Sequence, residues 1–78
     1  MKISLSQQID EVERELKMRA EVYPRWVRNG KLRQSIADYQ VERMEHVKAS
    51  LEWLRDNETD VRAYVAAKIE VRKRGEAA

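Results

Sequence analysis

The chain has no cysteine and no phenylalanine, and its 78 residues include one proline and two glycines. Without Cys there can be no disulfide, no thiolate zinc site and no thiol nucleophile, and the composition suits a reducing compartment. Two isolated glycines cannot build a phosphate-cradling loop or a nucleophile elbow. Long apolar runs are also missing. Asp10 and Glu11 break the N-terminal stretch before a signal-peptide core could form, and nothing approaches the roughly 20 apolar residues of a membrane span. The expected location is the cytoplasm, with no membrane role.

A chain this short is one domain, expected over residues 1–75 with 76–78 as a frayed tail. A lone core of this size supplies only about 3–5 kcal/mol, so a staple is needed, and with disulfides excluded it is oligomerisation. A homodimer is therefore expected. Charged residues make up 38% of the chain, yet Leu, Ile, Val, Met, Trp and Tyr recur with helical spacing, which is an ordered, all-α composition. Net charge is only +2, but its distribution is uneven. Residues 22–37 hold four bases and no acid, and residues 61–78 hold five bases against two acids.

Ser4 with Gln7 three residues later is a capping-box pattern, so the first helix is expected to start there. Leu5, Ile9, Val12, Leu16 and Tyr23 line one face of it, and Arg19 is the one charge on that stripe. Pro24 cannot donate to the carbonyl of Ala20, which predicts a kink or an end near Tyr23, with Arg25–Arg28 able to form one further turn. Asn29-Gly30 should stop the helix, because Gly accepts the left-handed conformation of a C-terminal cap. The reversal is expected at residues 29–32.

A long second helix is expected from between Arg33 and Ser35, with Ser35 and Asp38 as a capping pattern and Ala37, Val41, Met44, Val47, Leu51 and Leu54 as its stripe. Folded back as an antiparallel hairpin, the stripes pair Tyr23 with Val41, Leu16 with Val47, Val12 with Leu51 and Ile9 with Leu54. Arg19 then faces Met44, within reach of Glu42 or Glu45. The polar stretch at 56–60 either ends this helix or is crossed by it. The pattern resumes with Val61, Tyr64, Val65 and Ile69 and closes on Arg72-Lys73-Arg74-Gly75. If the second and third segments are collinear, the first helix is too short to cover that last face, and a second subunit is expected on it.

The string Tyr23-Pro24-Arg25-Trp26-Val27 followed by Gly30-Lys31-Leu32, with Ala37-Asp38, Met44-Glu45 and Leu51-Glu52-Trp53-Leu54, resembles a group of small uncharacterised proteins of phage and prophage-bearing bacterial genomes. The likeness spans roughly residues 5–58, and its most specific part is Tyr-Pro-x-Trp-Val-x-x-Gly; the chain departs from the group at Arg33, where Ser or Thr is usual. The resemblance implies a setting and no reaction.

Arg25, Trp26, Arg28, Lys31 and Arg33 form a basic patch around one aromatic, suited to phosphate contacts and base stacking or to a protein partner. Arg25 and Arg28 are also explained by the dipole at the end of the first helix. Lys31 and Arg33 are not, since they approach the start of the second, where positive charge is mildly unfavourable. His46 follows Glu42 by one turn, but the Glu-x-x-His spacing of diiron bundles is broken by Arg43, so no metal or other cofactor is expected. Tyr39, Trp53 and Tyr64 beside the stripes are expected in the bundle core or a dimer interface before any ligand groove. The expected function is non-enzymatic: an accessory protein that binds an unidentified protein partner through the corner. Nucleic-acid binding by the corner and the basic tail is the alternative.

Overall fold

The computed structural model describes residues 1–77, and these form three helices: α1 (Leu5–Arg28), α2 (Gln34–Asp56) and α3 (Glu58–Ala77). There is no strand among the described residues. The expected helical fold class is therefore observed. Of the expected 76–78 tail, residues 76 and 77 are helical and Ala78 lies outside the described residues.

The start of α1 follows its capping box. The Gln7 amide donates to Ser4 Oγ at 3.1 Å, and the Ser4 amide donates to Gln7 Oε1 at 2.8 Å. The helix then runs through Pro24 to Arg28, so it does not end near Tyr23. Proline's fixed φ is itself helical, and what it removes is one donor and the room beside the carbonyl four residues back. The last turn is secured from beyond the helix: the Gly30 amide bonds the Val27 carbonyl at 3.1 Å and the Lys31 amide bonds the Trp26 carbonyl at 2.9 Å. Those two bonds define a Schellman closure, which needs a left-handed residue between them, and Gly30 has φ 72°.

This closure decides where α2 begins. Leu32 also donates to the Trp26 carbonyl, at 3.3 Å, which draws the chain round tightly and leaves Arg33 as the extended residue before the helix. Arg33, not Ser35, is the N-cap of α2, and its side chain makes no capping bond. Ser35 is already helical, and Asp38 accepts from Gln34 Nε2 at 2.8 Å instead of completing a capping pattern.

Packing between α1 and α2 is that of a helical hairpin. Ile9 and Ala37 are its two fully buried apolar residues, with Leu5, Val12, Leu16, Val41, Met44, Leu51 and Leu54 half-buried around them. Val47 does not pack as expected against Leu16. It stands exposed, while Lys48 turns inward and pairs with Glu13 at 3.4 Å. About the axis of α2, Lys48 lies within about 20° of Val41, whereas Val47 lies about 120° from it, at the edge of the packed face.

Asn57 is the one non-helical residue between α2 and α3. Its amide and its Nδ2 both donate to the Trp53 carbonyl, at 3.1 and 2.8 Å, and its own carbonyl accepts from the Val61 amide at 2.9 Å. It caps one helix and starts the next without a bend that shortens the molecule: 44 residues at 1.5 Å each span about 66 Å, and the longest dimension is 66 Å. The radius of gyration is 19.5 Å, against roughly 11–12 Å for a compact domain of this length. Hence α2 and α3 form one rod, α1 packs along its first half, and the second half stands clear.

Candidate functional site

The corner joining α1 and α2 gathers every basic residue singled out in its sequence. Arg25, Trp26 and Arg28 lie on the last turn of α1, and Lys31 and Arg33 follow the Gly30 closure. All five side chains are exposed, Trp26 to 43%. Among the described residues, Arg25, Arg28, Lys31 and Arg33 have no carboxylate within ion-pair distance. The patch is four uncompensated cations around a half-exposed indole.

Trp26 is held from one side. Its ring stacks on Tyr23 with centroids 5.9 Å apart and planes 26° from parallel, the Arg19 guanidinium lies 5.7 Å from the Tyr23 ring centroid, and the Tyr23 hydroxyl donates to Gln40 Oε1 at 2.9 Å. Arg19 is the charge that falls on the apolar stripe, and only 17% of its side chain is exposed. Its head does not reach Glu42 or Glu45. It pairs with Glu15 on its own helix at 2.9 Å and donates to the Gln40 carbonyl at 2.9 Å, one turn along and directly across, so the guanidinium is satisfied without crossing the hairpin to a carboxylate. Gln40 is thus the residue that orders the back of the corner. Its signal in the sequence is a polar residue at an apolar position, three after Ala37 and four before Met44, meeting the only other such misfit, Arg19.

The energetic oddity of the site is Arg33. An N-cap favours Ser, Thr, Asp or Asn, which accept a bond from the first turn, and the helix dipole disfavours a cation there. Arg33 supplies neither benefit. Only its backbone carbonyl caps α2, accepting from Ile36 at 3.1 Å and Ala37 at 3.0 Å.

Elsewhere the chemistry is sparse. His46 Nε2 lies 3.9 Å from Glu42 Oε1 on an exposed face, and no cluster of three potential metal ligands occurs among the described residues. Glu11, by hydrogen bond and charge, holds the Arg14 guanidinium above its usual pKa, about three turns before the corner. Tyr39, Trp53 and Tyr64 are outside the hairpin core, each more than half exposed. An open cleft of about 560 Å³ lies where α1 runs out, lined by Ile3, Leu5, Leu54, Glu58 and Val61. No helix among the described residues is long and apolar enough to cross a membrane. Comparison with family models, curated proteins and solved structures gives no match for this chain.

Proposed function

We propose that this chain is a non-enzymatic interaction module, an antiparallel helical hairpin that works as a homodimer and docks an acidic protein surface onto its corner. One observation carries the reading: four exposed cations without a carboxylate partner lie within seven residues of a half-exposed tryptophan, and one of them, Arg33, occupies a helix N-cap that a neutral or acidic residue would fill better. Tryptophan and arginine are the residues most often found to dominate binding at interfaces. The antiparallel arrangement is supported by contacts that pair the middle of α1 with the middle of α2 and the end of α1 with its beginning, Glu13 with Lys48 and Tyr23 with Gln40. The setting proposed with it, the cytoplasm of a phage-carrying cell, rests on the resemblance of the Tyr-Pro-x-Trp-Val-x-x-Gly corner.

Nucleic-acid binding is the second reading, favoured by the same free cations. The corner and the basic tail at Arg72, Lys73 and Arg74 sit at opposite ends of the 66 Å rod, so within one chain they are separate patches. The two readings differ in salt dependence. Phosphate contacts by four cations give an affinity falling with about the third to fourth power of salt concentration and nearly blind to sequence. A protein contact centred on Trp26 survives moderate salt, and truncating a dominant interface Trp to Ala costs at least about 30-fold in affinity. The test is capture from lysate with and without nuclease, using wild type and a variant with Arg25, Arg28, Lys31 and Arg33 changed to Glu. A nuclease-resistant partner lost from the variant and from Trp26→Ala supports the proposal; identical capture by all three proteins refutes it.

A further inference from the structure

The half of the rod that α1 leaves bare has an order to it. On α3, Glu58, Val61, Val65, Ile69 and Arg72 follow one another at spacings of three, four, four and three, which places them on one side of the helix. The series is symmetric about Val65 in spacing and antisymmetric in charge, with an acid at one end, three β-branched apolar residues between and a base at the other. Val65 is 47% exposed and Ile69 44%, on a helix that α1 does not reach.

We infer that a second copy of this chain covers this face, α3 against α3 in antiparallel register with Val65 on the two-fold axis. The inference rests on the homodimer reading and specifies its geometry. In that register Val65 meets Val65 of the partner subunit, Val61 meets Ile69 of the partner subunit, and Glu58 meets Arg72 of the partner subunit at both ends. A parallel register sets Glu58 against Glu58 and Arg72 against Arg72, like charges in both places, so the charges select the antiparallel one. The cleft beside Leu54 and Glu58 continues the same face and receives the end of the partner's helix. Surface area points the same way. The chain exposes 6792 Å², whereas a folded monomer of its mass exposes about 5000 Å², and a standard interface takes about 800 Å² from each partner.

The consequence for function is bivalence. Gln34 lies 31 residues before Val65 along the rod, or about 46 Å. The two corners of such a dimer therefore stand about 90 Å apart at opposite ends, and one dimer joins two docked partners.

Because the chain has no native cysteine, single cysteines report the register directly. Antiparallel pairing predicts that Val65→Cys forms a disulfide-linked dimer under mild oxidation. Val61→Cys alone does not, since its two copies lie about 12 Å apart along the axis, beyond the Cα separation of about 7 Å a disulfide tolerates. A mixture of Val61→Cys and Ile69→Cys forms the mixed dimer. If wild type has the mass of two chains but Val61→Cys cross-links alone, or Val65→Cys does not cross-link, the arrangement is overturned and the dimer stands. If wild type has the mass of one chain at high micromolar concentration, both fall.

Discussion

Replacing Arg33 with Asp should make the protein more stable and its partner binding weaker. Arg33 has the extended backbone of an N-cap, φ −73° and ψ 142°, but its side chain bonds nothing in the first turn of α2. An Asp there can accept from the amide of the second or third helical residue, worth about 1 kcal/mol relative to a residue that cannot cap. Removing the cation and adding an anion at the positive end of the dipole contributes about 0.3–1 kcal/mol more. The side chain is exposed, so little is lost in packing, and the backbone bond from Ala37 to the residue's carbonyl is kept. The net gain of about 1–2 kcal/mol corresponds to a rise in Tm of roughly 5–15 °C for a chain this size, read by circular dichroism at fixed protein concentration because any self-association makes Tm concentration-dependent. Arg33→Ser isolates the capping part and should give about half the rise. An unchanged or lower Tm for both variants would show that Arg33 already stabilises the corner, and would remove the ground for assigning it to binding.

Other outcomes follow from the same contacts. Gly30→Ala places a Cβ in open space, so its whole cost is the left-handed backbone at φ 72°, about 1–2 kcal/mol in a denaturant melt; no loss would mean the Schellman closure does not hold the corner. Gly75 is helical with nothing near a built Cβ, so Gly75→Ala should stabilise α3 by up to about 1 kcal/mol, seen as greater ellipticity at 222 nm. Tyr23→Phe removes the hydroxyl bond to Gln40 and should cost about 0.5–1.5 kcal/mol in urea unfolding. Arg19→Met keeps the stem but breaks the Glu15 pair and leaves the Gln40 carbonyl without its donor across the hairpin, and should cost about 1–3 kcal/mol in urea unfolding.

Much of the architecture was legible because it is written in local rules. Ser4 and Gln7 specify the start of α1 through atoms three residues apart, Asn29-Gly30 specifies its end through one backbone angle, and the three-four spacing of Leu5, Ile9, Val12 and Leu16 marks the packed face. What misled was local competition resolved at longer range. Ser35-Asp38 has the composition of a cap, but the Trp26 carbonyl takes two amides and fixes the N-cap at Arg33, two residues earlier than that pattern requires. Arg19 was expected to reach a carboxylate across the hairpin, but the Glu15 carboxylate one turn back on its own helix and the Gln40 carbonyl across from it satisfy the guanidinium. Asn57 could not be read as a stop or a continuation because it does both jobs at once, its side chain closing α2 on the Trp53 carbonyl while its own backbone carbonyl accepts from Val61 in α3. The exposure of Tyr39, Trp53 and Tyr64 was hidden for another reason. A two-helix hairpin has room for one stripe per helix, and Tyr39 and Trp53 lie off the packed stripe of α2, while Tyr64 stands on α3 beyond the reach of α1.

At the corner, the residue types and their grouping were visible in the sequence, while the support was not. The stack of Trp26 on Tyr23 follows from their spacing of three on a helix that continues through Pro24, and the anchor at Gln40 comes from the partner helix.

Light scattering on the wild-type chain at high micromolar concentration decides most directly whether the rod is half of a dimer. A mass of two chains, falling to one chain in Val65→Asp with the helical signal of the hairpin retained, is the expected result. A mass of one chain for the wild type would contradict it, and would leave α3 bare along the 66 Å rod.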